Sequence, residues 1–377
     1  MREIAWLFLK LGTISFGGPA AHIALMDQEV VRKRGWLDRD HFLSLLAATN
    51  LVPGPNATEM AIHIGYVHAG WPGLIAGGVS FILPAFLICL GIGWFYLEFG
   101  SIPEIASIFY GINPVVFAII LVATYRLGKS AIKSWWEILL GVSALMAALI
   151  GMDEALILLA AGVAGILVHF IPKWISHKQL PVVLFLPFVS FARHFSELWS
   201  GLDDRLVQLG LFFLKVGSLL FGSGMVLFAF IQKDVVSGYG WLTQQQLIDA
   251  IAVGQMTPGP VSSSATFIGY LVSGWQGAIV ATIAMFLPSF IIVAATGPLI
   301  PRLRRSPLAQ AFLRGVNVAV VALILSVSLA LFKSAFIDPW TVIIGVVGLF
   351  ALLFLRIDTF WLIVVGAVLG LVHHYLM

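Results

Sequence analysis

The chain is poor in charge and almost without cysteine. Of its 377 residues only 10% are Asp, Glu, Lys or Arg, against 60% hydrophobic, and the mean hydropathy is +1.01. A water-soluble fold of that composition would lack the polar surface to cover its core. A single cysteine, Cys89, excludes an internal disulfide and a cysteine-built metal site. The net charge of +3 comes from basic residues in loops, with no basic patch interleaved with aromatics, so nucleic acid is not an expected partner. No nucleophile–base pair, nucleotide motif or metal-ligand set stands out, which argues against an enzyme and against a bound cofactor.

What the chain has in abundance is apolar length. Stretches of about 20 apolar residues, enough to cross a ~30 Å hydrocarbon layer, recur from end to end. The solvent is lipid, and the expected place is a membrane. Met1-Arg2-Glu3 opens on an apolar run that Lys10 interrupts, with no small-residue cleavage site after it. It reads as a first span rather than a removed leader.

Self-similarity organises the sequence. Leu9-Lys10-Leu11-Gly12 and Phe16-Gly17 return at an offset of 205 as Leu214-Lys215-Val216-Gly217 and Phe221-Gly222, and Pro53-Gly54-Pro55 returns as Pro258-Gly259-Pro260. After a one-residue deletion the offset becomes 204, matching Gly65-Tyr66 to Gly269-Tyr270, Pro84 to Pro288 and Asn113 to Asn317. The expected fold is an all-α polytopic membrane protein with an N-terminal transmembrane repeat over 1–171, a cytoplasmic linker over 172–205 and a C-terminal repeat over 206–377.

Hydropathy predicts spans in the first repeat near 4–27, 72–97, 104–125, 135–150 and 155–171. The segment 41–69 differs, because Pro53 and Pro55 remove backbone donors and clash with the preceding turn. It reads as two short helices forming a re-entrant hairpin. The excess of positive charge on cytoplasmic loops puts Arg32, Lys33, Arg34 and Arg39 inside, then Arg126, Lys129 and Lys133. The linker's Lys173, Lys178, Arg193 and Arg205 follow, as do Arg302, Arg304, Arg305 and Arg356 of the second repeat. Five spans per repeat, an odd number, invert the second repeat relative to the first and leave both termini outside.

Inverted repeats with interrupted helices point to a transporter whose site lies between the repeats, since irregular backbone at membrane depth is tolerable only against protein or a water-filled cavity. After each Pro-Gly-Pro a helix begins, at Asn56-Ala57-Thr58-Glu59 and at Val261-Ser262-Ser263-Ser264. Two helix N-termini with amide and hydroxyl donors suit a small tetrahedral oxyanion. The candidate contacts are Pro53, Gly54, Pro55, Asn56, Ala57 and Thr58, with Pro258, Gly259, Pro260, Ser262, Ser263 and Ser264 opposite. Gly17 and Gly18 thin the first helix beside them. Lys10 and Lys215 are either anion contacts or snorkelling residues. Glu59 has two readings as well: the N3 acid of a capping box with Asn56, or a proton carrier that must be neutral beside an anion. His22 and His63 could relay protons or sit as hydrogen-bonded interior histidines.

Phe16-Gly17-Gly18-Pro19-Ala20-Ala21-His22, Trp36-Leu37 and Asn50-Leu51-Val52-Pro53-Gly54-Pro55-Asn56-Ala57-Thr58-Glu59-Met60 resemble the chromate ion transporter family. The likeness continues through Gly65-Tyr66, Phe81-Ile82-Leu83-Pro84-Ala85-Phe86 and Gln255-Met256-Thr257-Pro258-Gly259-Pro260, so it covers essentially the whole chain. The resemblance implies a two-half fold and export of chromate from the prokaryotic cytoplasm, driven by the proton-motive force without cofactor or ATP hydrolysis. A sulfate or other oxyanion carrier and a passive anion channel are the alternatives. The second repeat has no equivalent of Glu59, so the site is expected to be asymmetric, with an acid on the first hairpin alone. The linker and outer spans leave room for a homodimer contact.

Overall fold

The computed structural model describes residues 1–16, 18–50, 52–100, 102–174, 204–222, 224–296, 306–355 and 357–376. Every regular element among them is a helix. The first half runs α1 (Arg2–Ile14), α2 (Pro19–Met26, continued by a π-helix Asp27–Lys33), α3 (Arg39–Thr49), α4 (Asn56–Phe99), α5 (Pro103–Ala131), α6 (Trp135–Leu149) and α7 (Glu154–Trp174). The second half repeats the order as α8 (Arg205–Leu219), α9 (Leu227–Phe230, continued by a π-helix Ile231–Gly238), α10 (Gln244–Met256), α11 (Ser264–Thr296), α12 (Pro307–Ala335), α13 (Pro339–Phe350, continued by a π-helix Ala351–Leu355) and α14 (Thr359–Leu376). Local chemistry sets the starts. Thr243 with Gln246 forms a capping box, Glu137 accepts the Ser134 N–H at 2.8 Å, and Pro103, Pro307 and Pro339 stand at first helical positions.

The predicted span over 4–27 is not one helix. The chain breaks between Ser15 and Gly18, where Gly18 takes φ +81 ahead of Pro19, and then doubles back. Glu3 therefore pairs with Arg34 at 3.7 Å and Lys10 with Glu29 at 3.4 Å. This also moves the N-terminus. It lies at the same end of the molecule as Arg32, Lys33 and Arg34, not opposite them as expected. Hydropathy counts apolar residues along a run and is blind to a reversal inside it.

The helix α4 reverses too. Ala69 (φ −145, ψ 24) and Gly70 (φ 62, ψ −148) turn the chain, and Ser273 (φ −148, ψ 31) and Gly274 (φ 63, ψ −153) repeat the turn in α11. The limbs before and after the turn lie so close that a Cβ on Gly65 would overlap the Gly73 carbonyl oxygen, and one on Gly269 the Gly277 oxygen. Trp36 stacks on His68 at 4.0 Å, so the start of α3 and the end of the 56–68 limb also meet.

Two long helices form the centre. Where α5 and α12 cross, Phe117 meets Phe332 (ring centroids 5.9 Å) and Gly128 faces Val321, so the equivalent helices of the two halves run antiparallel. Each carries the last helix of the other half: α14 packs on α5 and α7 on α12. Glycines make both crossings, Gly111 against Gly366 and Gly370, and Gly315 against Ala161 and Gly165, at distances no Cβ would permit.

Among the described residues five helices are long and apolar enough to cross a membrane, namely α4, α5, Val261–Ala295, α12 and α14, rather than five in each half. Their outer faces carry exposed Trp94, Ile283, Leu329 and Trp361, as lipid contact requires. Gly17, nearly all of the 172–205 linker, and Arg302, Arg304, Arg305 and Arg356 lie outside the described residues.

Candidate functional site

Four chain breaks meet inside the molecule: 15–18 and 53–55 from the first half, 220–224 and 258–260 from the second. Two backbone bonds cross-link them. Gly54 N–H donates to the Leu220 carbonyl at 2.7 Å, and its repeat equivalent Gly259 N–H donates to the Ser15 carbonyl at 3.0 Å. Each Pro-Gly-Pro thus ties into the first break of the other half. Only glycine serves at the bond-making position: Gly54 has φ +151 and Gly259 φ +92, and a Cβ on Gly54 would overlap the Glu59 carboxyl.

The breaks enclose a cavity of about 410 Å³. Gly18, Gly54, Pro55, Asn56, Ala57, Pro260 and Ser262 line it, as does His22. The helix N-termini after both Pro-Gly-Pro breaks face this space. Ser262 is buried, and its hydroxyl has no partner among the described residues. Asn56 is tied sideways by its amide N–H to Asn50 Oδ1 at 2.8 Å.

Several expected residues stand behind the wall instead. Thr58, Ser263 and Ser264 are fully buried, their hydroxyls without partners among the described residues, and do not line the cavity. Pro53, Pro258 and Gly259 shape the turns, and Gly259 packs on Ala85. Glu59 is 0% exposed, sits beneath Gly54 near Ser289, and neither of its oxygens has a partner among the described residues. The expected capping box is not formed, because Pro55 rather than Asn56 is the N-cap. His63 is equally buried, with Nε2 unpartnered. His22 is anchored through Nε2 to the Ser15 carbonyl at 3.1 Å, which leaves Nδ1 free in the cavity wall.

The two lysines do not join the site. Lys10 and Lys33 share Glu29, which Arg34 also grips. Lys33 and Arg34, with Lys10, hold the Glu29 carboxyl down to about 2. Lys215 bridges Asp153 and Asp234, both at 3.2 Å, and Lys233 pairs with Glu154 at 3.6 Å. A lysine committed to carboxylates is not a free anion ligand.

Sequence reasoning missed the charge that is present. Arg126 lines the cavity, with Nη2 3.4 Å from the Leu352 carbonyl and no carboxylate partner among the described residues. Hydropathy ends the predicted span at residue 125 and makes Arg126 a topological marker, whereas α5 runs on to Ala131. Gln255, Met225 and Thr359 complete the lining from the second half. Among the described residues no acid lines this cavity. The acid expected on the first hairpin alone also has a counterpart: Asp249, buried in α10, faces a different cavity.

The family model described as "Chromate transporter" matches the chain twice, over residues 2–166 and 207–371. The chain belongs to the chromate transporter family. It is 35% identical over its full length to a "Chromate transport protein" of Cupriavidus metallidurans, covering 94% of that protein. It is 34% identical to a "Probable chromate transport protein" of Synechococcus elongatus, over 93% of this chain and 89% of that one. An uncharacterized transporter of Bacillus subtilis is 32% identical over 165 residues, 43% of this chain but 93% of its own length. A family member the size of one half is what a duplicated architecture predicts. No solved structure matches.

Proposed function

We propose that the chain exports chromate, a tetrahedral oxyanion, from the prokaryotic cytoplasm through the plasma membrane by alternating access. The cavity between the four breaks carries this reading. First-turn N–H groups, the spare Ser262 hydroxyl and the Arg126 guanidinium offer donors and positive charge, and among the described residues no carboxylate in the lining opposes them. Chromate is the ion named for the Cupriavidus and Synechococcus relatives, and the outward direction follows the family resemblance.

The antiparallel crossing of α5 and α12 supports inverted repeats, with α1 starting at one end and α8 at the other. Each doubled-back pair of short helices then dips into the membrane without crossing it. The charge bias makes the end with Arg32, Lys33 and Arg34 cytoplasmic. The cavity is lined by the half of α5 nearer that end, from Ile119 to Leu127. Exchange of access calls for the halves to differ, and their ion pairs do. Lys215 is bound to Asp153 of the other half, whereas the equivalent Asp358 accepts the Phe360 N–H at 2.9 Å and leaves Lys10 to its own hairpin. Coupling to the proton gradient is assigned to Glu59, a buried carboxyl with neither oxygen bonded among the described residues, with His63 one turn further along α4 and His22 on α2 in the cavity wall.

The test is chromate flux in proteoliposomes under separately imposed pH and voltage gradients. Uphill movement is expected, and purely downhill flux would make the protein a channel. Removing one charge-assisted ligand, Arg126→Gln, should lower chromate affinity about tenfold or more, the equivalent of about 1.5–3 kcal/mol. Glu59→Gln should abolish the response to the pH gradient while sparing chromate binding.

A further inference from the structure

A second cavity, of about 680 Å³, lies at the other end of α5. Residues 106–113 of that helix line it, whereas residues 119–127 line the oxyanion cavity, so the two open toward opposite faces. In its wall is Asp249, 2% exposed. Three neutral groups donate to its carboxylate: Tyr96 Oη at 2.6 Å, Asn113 Nδ2 at 3.1 Å and Gln245 Nε2 at 3.1 Å. No cation among the described residues pairs with it. Beside it the Asn113 side-chain oxygen Oδ1, also buried, has no donor among the described residues.

From this geometry we infer that Asp249 is a proton-binding site served from the face opposite the oxyanion cavity, and that α10 links its protonation to that cavity. The ligand is a proton rather than a metal ion because the carboxylate is already surrounded by N–H and O–H donors, whose positive ends a metal would displace. A proton arriving from the aqueous face bonds to one Asp249 oxygen, turning carboxylate into carboxylic acid. That O–H then needs an acceptor. The spare Asn113 oxygen supplies it once the amide turns over, withdrawing Nδ2 from Asp249. Departure of the proton reverses both changes.

Besides Tyr96 on α4, the titratable groups facing this site are Tyr110 on α5 and His373 and His374 on α14, with Asp338 before α13 behind Tyr110. Tyr110 donates to Asp338 and lies 3.3 Å from His373 Nε2, so a bonded chain leads from the cavity to the end of the molecule. On the π-helix packed beside α10, Lys233 and Asp234 are engaged by Glu154 and Lys215. The link to the oxyanion is α10 itself. Gln255, six residues beyond Asp249 and about 9 Å along the helix, lines the oxyanion cavity, and the helix ends at Met256, just before the Pro258-Gly259-Pro260 turn. The repeat equivalent of Asp249 is Ser44, so this is a device of the second half alone.

The coupling, though not the proton site, rests on the transport reading above. The test uses full-length protein in lipid. Infrared difference spectra between acid and alkaline pH should contain a carboxylic-acid C=O band that Asp249→Asn removes and Glu59→Gln retains. Asn113→Leu should move its midpoint by about one pH unit, which keeps the test decisive if Asp249→Asn does not fold. In proteoliposomes, Asp249→Asn should lose at least tenfold in pH-driven chromate accumulation relative to chromate counterflow. A band unchanged in both variants, or wild-type accumulation by Asp249→Asn, overturns the proposal. Absence of counterflow in the wild type would sink the transport reading instead, while the infrared band still decides Asp249.

Discussion

The two halves place the same seven helices in the same order and then load them differently. The first half puts Arg126 in the cavity between the four breaks where the second has Ala330, and buries Glu59 where the second has Ser264. The second half buries Asp249 where the first has Ser44. Even the shared lysine differs in partners. Lys10 belongs to a network inside its own hairpin, and Lys215 reaches across to Asp153 of the other half. Backbone geometry is conserved between halves to within a few degrees at Gly70 and Gly274, while charge is distributed without symmetry. A scaffold can stay duplicated because glycine turns and glycine crossings depend on backbone alone, whereas one anion in one cavity needs its charge from only one side.

That contrast can be broken or sharpened by measurement. The largest effect is expected at the crossings. Gly111→Leu and Gly315→Leu each force a side chain into a backbone oxygen of the other half and should cost about 3 kcal/mol or more. Thermal melting of purified protein checks this, and clearly unequal losses would break the equivalence of the halves. Next comes Lys215→Met, which strands two partly buried carboxylates and should cost roughly 3 kcal/mol. Glu29→Gln should follow. Because its carboxyl is held down near 2, its contribution is complete above about pH 4.5 and fades as pH falls toward 2, so the melting difference from wild type should narrow in acid. Lys10→Met should be smallest, under about 1 kcal/mol, since Lys10 is half-exposed and Lys33 and Arg34 remain on Glu29.

Much of the site was legible in the sequence because proline and glycine act locally. Pro53-Gly54-Pro55 and its repeat at 258–260 break their helices wherever they are placed, and both line or shape the cavity. Other residues were misread for reasons of reach. Gly17-Gly18-Pro19 looked like a thinned span, since hydropathy does not register that a chain has turned round. Arg126 was counted as a loop charge, although α5 continues past it. Asp249 sits in the apolar run Leu247-Ile248-Asp249-Ala250-Ile251, an intramembrane acid that could have been flagged from that setting alone.

The sequence by itself determined that this is a duplicated, helical membrane protein of the chromate transporter type, interrupted at Pro-Gly-Pro. The family follows from the resemblance of its motifs, and the rest from composition, repetition and backbone chemistry within a few residues. Only the tertiary structure decided which break faces which. The bonds from Gly54 to Leu220 and from Gly259 to Ser15 join positions far apart in the chain. The same packing turned two lysines toward carboxylates, left Arg126 alone with the cavity, and set Asp249 before a second one. Such pairings depend on how helices from both halves stack, and no local pattern carries that information.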